Sequence, residues 1–425
     1  MFSTLAMLMI LLSPWTLVAQ DGPIVALVGA TVHTVSGDDI GNGTVLVQDG
    51  RIIAVGAGIE TPDGAEVVDL SGKHLYPGFV LSASALGLTE IGAVRATNDL
   101  GEIGDNNADV RAEVAFNADS LLLPETMAGG VLTAHVSMNG GTITGTTAVM
   151  RLHGWNWQDM TISTPAGMRL DFPSVSTAGD DEEDAESSSE AIEQLDELIE
   201  NAEHYAKAKA AGTVDHDPKM EGLLPLLEGE VPLYLFAYNK AQIEKALDWT
   251  AEKGLDNLVL FTGQDARYVA ERLATENIPV VLTGILSLPW RAWEGYDTPF
   301  TTPSVLHEAG VRFAISDSAS SFGAMNSRNL PFHAAQAAAF GLPKEIALRS
   351  VTLSPAEILG VADHIGSIDV GKEATFFVSN GDPLEIRTSI ERVWVQGQEV
   401  DLKNRHQYRL YDKYNNRPRP AATSE

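Results

Sequence analysis

Short apolar runs separated by turn residues occupy both ends of the chain, a pattern that predicts β-strands. At the amino end these Val- and Ile-rich runs are residues 24–35, 43–48, 51–57, 66–70 and 72–79. At the carboxyl end they are residues 366–378 and 390–400. Because chain termini commonly lie close together, we expect residues 21–75 and 362–410 to form one small composite β-sandwich domain.

Between these ends, strand-like runs alternate with helical patterns. Strands are predicted at residues 130–137, 148–152, 233–237, 258–262, 278–283 and 311–316, and helices at residues 240–253 and 266–276. Such alternation favours a parallel sheet, because each crossover covers a sheet face. We therefore predict an α/β fold with a closed (β/α)8 TIM barrel over residues 76–361. An open doubly wound sheet is the alternative, although no Gly-x-Gly-x-x-Gly follows any strand.

An acidic segment, residues 179–204, interrupts the alternation. It contains a run of acids from Asp180 to Asp184, and a helix-like stretch then extends from Glu190 to Ala211. We interpret the segment as an exposed loop leading into a surface helix. Calcium binding is the alternative, but the ligand spacing of a calcium loop with its central glycine is absent.

The first twenty residues have the outline of a secretory signal peptide. An apolar stretch from Leu5 to Val18, broken by Pro14, is followed by polar residues, although no basic residue precedes it. A membrane anchor is the alternative, but the stretch is shorter than the roughly 20 apolar residues needed to span a bilayer. We expect an exported, periplasmic or secreted protein with no membrane span in the mature chain, and a tail at residues 411–425.

The composition narrows the classes of function. The chain has 425 residues, of which 44% are hydrophobic, as in ordinary globular proteins. Its formal charge is −30, from 28 Lys and Arg against 58 Asp and Glu. Because phosphate binding requires clustered basic side chains, we expect no nucleic-acid partner. The absence of cysteine excludes disulfides, thiolate metal sites and cysteine nucleophiles.

Two motifs resemble the amidohydrolase superfamily, near its imidazolonepropionase-like and dihydroorotase-like branches. The first is Gly-Lys-His-Leu-Tyr-Pro-Gly-Phe-Val at residues 72–80. The second is Val-Thr-Leu-Ser-Pro-Ala-Glu-Ile-Leu-Gly at residues 351–360, with Gly-Ser-Ile-Asp-Val-Gly-Lys-Glu-Ala at residues 366–374. In the family the first motif leads into barrel strand one, and the second closes the barrel and re-enters the β-domain. The resemblance therefore implies the same barrel and composite domain as the pattern.

The resemblance also implies a chemistry, namely hydrolysis of carbon–nitrogen bonds of amides and cyclic amides other than peptide bonds. Family members use one or two divalent metals, such as zinc, to activate water, and an aspartate on the last strand takes the proton. The ligands come from a His-x-His pair after strand one, a Lys or Glu on strand four, and histidines ending strands five and six.

This chain departs from the family at the metal ligands. The His-x-His positions correspond to Ser82 and Ser84, the strand-five position lies near Phe236, and the strand-six position lies near Phe261 or Thr262. Hydroxyl and phenyl groups are poor substitutes for imidazole. The last-strand aspartate is retained as Asp317, which we predict to be the catalytic base. No metal ligand is assigned, and the cofactor stays unknown.

Other residues are candidates for a pocket without a metal. His135 lies toward the end of the second strand, and His153 and His333 follow later strands, but we interpret each as more typical of a single structural or surface histidine. Glu90 and Arg95 follow strand one, where barrel loops cover the mouth, and with His135 they are candidate ligand-binding residues. The Gly-rich segment 140–147 is interpreted as a tight connection. Ser82 as a nucleophile lacks visible local partners.

Two hypotheses from different classes remain. The first is a hydrolase of non-peptide carbon–nitrogen bonds with Asp317 as its base. The second is a catalytically inactive homologue that binds a ligand or partners an active paralogue. A small-molecule ligand or substrate is expected in both cases. Two kinds of assembly stay open, a homo-oligomer and a complex with a paralogous amidohydrolase. An exported open-sheet binding protein would need two similar lobes, which the terminal strands do not supply.

Overall fold

The computed structural model describes residues 22–176, 182–404 and 406–418. The predicted signal peptide, residues 1–20, lies outside the described residues, as does the part of the acidic segment up to residue 181. Strands in the described ranges form two eight-stranded sheets. One sheet is built from the two ends of the chain, and the other is built from its middle.

The first sheet joins strands from both chain ends, as the sequence predicted. Its order is β16-β15-β14-β5-β1-β2-β3, with β4 paired to β1. The two ends meet where β5 pairs with β14, with Leu75 opposite Val378. Its core contains Leu27, Ile52 and Phe376. The strands are β1 (Val25–Val32), β2 (Ile40–Gln48), β3 (Arg51–Ala57), β4 (Glu66–Asp69), β5 (His74–Pro77), β14 (Phe376–Ser379), β15 (Ile390–Val395) and β16 (Gln398–Glu399).

The second sheet is the predicted barrel, with the strands in the order β13-β12-β11-β10-β9-β8-β7-β6. The first and last strands, β6 and β13, lie next to each other, and the Ala83 N–H donates to Ser316 Oγ at 2.8 Å. Residues 350–351 bridge the remaining gap, with bonds from Val80 N and Ile315 N to their carbonyls. The strands are β6 (Phe79–Ser84), β7 (Val131–Val136), β8 (Ile143–Arg151), β9 (Thr161–Asp171), β10 (Leu233–Phe236), β11 (Leu258–Thr262), β12 (Val280–Thr283) and β13 (Phe313–Ser316).

One barrel strand runs against the predicted direction. The strand β8 pairs antiparallel with both β7 and β9, whereas the other neighbouring pairs of this sheet are parallel. The reason is the short connection from β7 to β8, which contains no helix and can only reverse the chain. The segment 140–147, interpreted as a connection, is therefore a turn only up to Thr142, since Ile143 begins β8.

Helices cover the outside of the barrel. The helix α5 begins after Asn239, whose side chain accepts from Gln242 N, and ends at Gly254 with a left-handed φ of 70°. The helix α3 begins at Glu182, earlier than the predicted Glu190. No helix in the described ranges is long and apolar enough to span a membrane. The helices are α1 (Leu122–Met127), α2 (Trp157–Met160), α3 (Glu182–Ala210), α4 (Pro218–Leu227), α5 (Lys240–Lys253), α6 (Ala270–Thr275), α7 (Thr298–Glu308), α8 (Ser321–Asn326), α9 (Leu330–Ala339), α10 (Lys344–Arg349), α11 (Leu353–Ile358) and α12 (His406–Asn415).

Alternation along the strands separates two cores. Leu233 and Leu235 of β10 belong to the large core that includes the surrounding helices. Tyr234 and Phe236 belong to a separate cluster with residues of β6, β8, β11 and β12, which is the barrel interior. Inward-facing side chains such as Tyr234 and Phe236 therefore lie beneath any site at the barrel mouth.

Candidate active site at the barrel mouth

Asp317 follows β13 directly, at the carboxyl end of the last barrel strand, where barrel enzymes place their catalytic groups. Its Oδ1 accepts the N–H of Ser318 at 2.7 Å. Its Oδ2 lies 3.9 Å from Nε2 of His333, and its side chain is 16% exposed. The carboxylate is therefore oriented by the backbone and still accessible to a small ligand.

His333 is the neighbour of Asp317 that sequence reasoning did not place. It lies in the first half of α9, is buried, and has an Nδ1 atom without a hydrogen-bond partner. Burial lowers the pKa of His333, while the nearby Asp317 carboxylate partly opposes that shift. The imidazole is therefore neutral at pH 7 beside a carboxylate, which is an arrangement able to accept and donate protons.

His135, a predicted ligand-binding residue, points into the barrel interior and is completely buried. Its Nδ1 lies 2.9 Å from the carbonyl oxygen of Ser82, and its ring packs edge-on against Tyr234 at 5.0 Å. Burial lowers the pKa of His135 to about 4, and the positive charge of Arg169 adds to the lowering. Its Nε2 atom has no hydrogen-bond partner among the described residues.

The two serines at the positions of the family's His-x-His pair lie on β6 and are buried. Ser84 Oγ accepts the N–H of Leu86 at 2.9 Å, so this hydroxyl closes a local turn. Ser82 Oγ is buried without a partner. Neither arrangement supplies a charged or imidazole ligand.

The inward-facing cation of the fourth barrel strand, β9, is Arg169, which sequence reasoning missed. Its Nε and Nη2 donate to the two carboxylate oxygens of Asp171 at 2.8 and 2.9 Å. Its Nη1 donates to Ser137 Oγ at 3.0 Å and to Asn139 Oδ1. The guanidinium carbon lies 3.9 Å from the ring centroid of Phe236, and the side chain is 6% exposed. A positive charge held by four hydrogen bonds is therefore fixed inside the mouth.

Aromatic side chains fill the neighbouring positions of strands five and six. Phe236 and Phe261 stack with a centroid distance of 4.5 Å and an interplanar angle of 13°. Thr262 is buried and its Oγ1 has no partner. Within the described part of the chain, no group of three or more His, Asp or Glu residues could hold a metal ion. The donor set at the mouth thus does not fit the divalent metal of the family.

Glu90 and Arg95, the other predicted ligand-binding residues, lie in the connection after β6. The Glu90 N–H donates to the Thr97 carbonyl at 2.9 Å, and its Oε1 is buried without a partner. Arg95 begins a 3-10 turn and is exposed. Among the described residues, no recorded hydrogen bond or ion pair joins Glu90, Arg95 and His135 to one another. Their role in binding stays a prediction.

The exposed ring of Trp290 borders the mouth beside the end of β11. The ring of Trp290 lies against Gly263, where an added Cβ would approach it to 2.8 Å. The next residue, Arg291, anchors this connection through Asp265 at 2.6 Å and Glu294 at 2.8 Å. Both carboxylates are fully buried. The ion pairs of Arg291 therefore fix the backbone next to Trp290, and the absence of a Cβ at Gly263 leaves room for the ring.

Comparison with known proteins agrees with this architecture. The model of the Amidohydrolase family matches residues 301–400, which contain Asp317 and His333. A curated relative, Amidohydrolase tasK from Hapsidospora irregularis, is 23% identical over 392 residues, covering 84% of this chain. The chain spans only 39% of the length of that relative.

Solved structures share the fold. An amidohydrolase from Thermotoga maritima MSB8 is 28% identical with a TM-score of 0.79, covering 89% of this chain and 99% of its own. An adenosine deaminase from Xanthomonas campestris with bound zinc is 16% identical with a TM-score of 0.53, covering 93% and 99% of the two chains. At that identity the second similarity concerns the fold alone.

Proposed function

We propose that this chain, which is similar to members of the amidohydrolase superfamily, hydrolyses a non-peptide carbon–nitrogen bond of a small amide or cyclic amide. The reaction takes place at the barrel mouth. The observation that carries the proposal is the position of Asp317 at the end of the last strand, 3.9 Å from the buried His333. A carboxylate and a neutral imidazole at this separation are suited to proton transfer around one reacting centre.

The roles follow from the protonation states. Asp317 accepts a proton from the attacking water while the water oxygen bonds to the carbonyl carbon. The carbon–nitrogen bond then breaks, and the proton passes to the leaving nitrogen, giving an acid and an amine. His333 Nε2, 3.9 Å from Asp317 Oδ2, relays that proton through a water or substrate atom that lies between the two groups, and burial keeps the pKa of this imidazole low. Trp290 limits the shape of the bound substrate on one side.

The test is a hydrolysis screen with matched variants. The substrates are cyclic amides, N-acyl amino acids and aryl amides, assayed with wild type, Asp317→Asn and Asp363→Asn. Asp363 is an exposed acid in the connection from the barrel to the end sheet, so it controls for loss of a surface charge. We expect Asp317→Asn to lower kcat by about 10²–10⁴ and Asp363→Asn to leave it unchanged.

Two results would contradict the proposal. Full activity of Asp317→Asn would remove the carboxylate from the mechanism. Tight binding of a screened compound that the wild type never hydrolyses would instead support the inactive homologue, which keeps the barrel to bind a ligand. The inactive homologue is the main alternative hypothesis, because serine and phenylalanine residues occupy the family's metal-ligand positions.

A further inference from the structure

We infer that the guanidinium of Arg169 is the resident cation of the barrel mouth and takes the place of the divalent metal found in the family. The chain then folds, and presents Asp317, without any bound metal. This inference deepens the proposed function and rests on it for the location of the site. It concerns a residue of the fourth barrel strand that the sequence comparison with the family did not assign.

The first support is the space that Arg169 occupies. Its guanidinium carbon lies 3.9 Å above the ring of Phe236, the side chain at the strand-five ligand position. Its Nη1 reaches Ser137, which follows the second barrel strand, at 3.0 Å. The guanidinium therefore spans the interior of the mouth between strands two and five. A metal ion held from these strands would lie against a fixed positive charge, which disfavours its binding.

The second support is the way this charge is neutralised. Asp171, on the same strand, accepts two parallel bonds from Arg169, the bidentate geometry that makes Arg–carboxylate pairs strong. This carboxylate is an acidic side chain at the carboxyl end of β9 that could otherwise serve as a hard metal ligand. Because both of its oxygens accept from Arg169, a metal ion bound to this carboxylate would lie beside the guanidinium charge, which disfavours coordination.

The third support is a direct connection to the loop that follows Asp317. Asn139 accepts from Arg169 through its Oδ1, and its Nδ2 donates to the Ala319 carbonyl at 3.0 Å. Ala319 lies two residues after Asp317. Arg169 is therefore a positioning residue. It orients the Asn139 amide, and this amide holds the loop that follows Asp317. In metal-dependent sites, the ion itself organises the surrounding side chains.

The first experiment measures metal directly and uses no substrate. The protein is purified without chelator or nickel affinity, incubated with zinc, manganese or iron(II), desalted, and analysed by elemental mass spectrometry. We expect less than about 0.1 ion per chain and an unfolding midpoint unchanged by EDTA. Close to one ion per chain, lost to EDTA together with a fall in the midpoint, would overturn the inference.

The second experiment tests the position of the guanidinium. Histidines are returned to the family positions in a Ser82→His/Ser84→His/Phe236→His chain, which is made with Arg169 intact and with Arg169→Met. Zinc affinity is measured by competition with a chromophoric chelator on chains whose circular dichroism shows that they are folded. We expect at least a tenfold tighter zinc affinity when Arg169 is replaced. Equal affinity in the two chains would show that the guanidinium does not occupy the metal position.

A control addresses the consequence of losing any buried arginine. Arg169→Met alone should stay free of metal and unfold at a lower temperature, and Arg169→Lys should recover part of the loss, because it keeps the charge without the two parallel bonds. Stoichiometric zinc in Arg169→Met but not in wild type would also support the inference, since the guanidinium alone would then exclude the ion, whereas stoichiometric zinc in both chains would overturn it. Because none of these measurements involves hydrolysis, failure of the proposed reaction leaves their outcome unaffected.

Discussion

Protonation of His135 in the barrel interior should make the protein less stable at mildly acidic pH. The pKa of His135 is lowered to about 4 by burial, against about 6.5 in an unfolded chain. Below pH 6.5 the unfolded state therefore binds a proton that the folded state does not bind. Stability contributed by the neutral imidazole is complete above pH 6.5 and is lost as the pH falls toward 4.

The size of the effect follows from these two pKa values. Their difference corresponds to about 3 kcal/mol over the whole range, of which about 1 kcal/mol is lost by pH 5.5. The substitution His135→Gln keeps a side-chain donor for the Ser82 carbonyl but cannot take up a proton. The variant should therefore lose about 1 kcal/mol less than wild type between pH 8 and pH 5.5.

The assay is urea unfolding of both proteins at pH 8 and pH 5.5, followed by circular dichroism, with His204→Gln as the control for an exposed histidine. The quantity compared is the change in unfolding free energy between the two pH values. His204→Gln should follow wild type. If His135→Gln showed the same loss as wild type, the imidazole would not be the buried, neutral group that the structure describes.

Two further substitutions test contacts that hold the barrel in place. Arg151 on β8 and Glu373, shortly before β14, form a buried ion pair. In urea unfolding, Arg151→Met should lower the unfolding free energy by about 3–5 kcal/mol, because it leaves the Glu373 charge buried and unpaired. The double variant Arg151→Met/Glu373→Met should recover much of that loss. Gly263→Ala should destabilise by at most about 1 kcal/mol, because its Cβ meets the far end of the exposed Trp290 ring at 2.8 Å and the ring must shift. In thermal unfolding, Trp290→Ala should relieve that loss, and a lack of any relief would show that the two residues are not in contact.

The periodicity of the sequence predicted both sheets but not all of their strands, since β9 (Thr161–Asp171) was not among the predicted strands. Short Val- and Ile-rich runs at the two ends became strands of one sheet, in which β5 and β14 pair directly. The direction of β8 was not predictable in the same way, because a short apolar run has the same pattern in either direction. What decides its direction is the connection from Val136 to Ile143, and the absence of a helical pattern there was the available indication.

The candidate site was predictable only in part, for a physical reason. Asp317 could be located because the resemblance to the family implies an aspartate at the end of the last barrel strand, and the apolar pattern of that strand is clear. Its contact with His333 depends on how α9 packs against the barrel, which the sequence spacing does not specify. Arg169 was missed because an arginine is normally exposed, and the carboxylate and amide that permit its burial come together only in the folded chain. Because no strand was predicted at residues 161–171, the alternation that places Arg169 inward with Gly167 and Asp171 was missed as well.

Because the Arg169 guanidinium is part of the chain, the barrel mouth needs no ion from the medium to carry its positive charge. A metal centre must exchange its ion with the medium, and its affinity depends on the protonation of its ligands. The chain carries a formal charge of −30, so dissolved cations are attracted to its surface without selectivity. Arg169 is part of the chain and does not exchange with the medium, and Asp171 balances its charge within the same strand. If the charge at the mouth comes from Arg169, ligand binding there should be unchanged when free metal is varied from chelator-buffered traces to millimolar zinc.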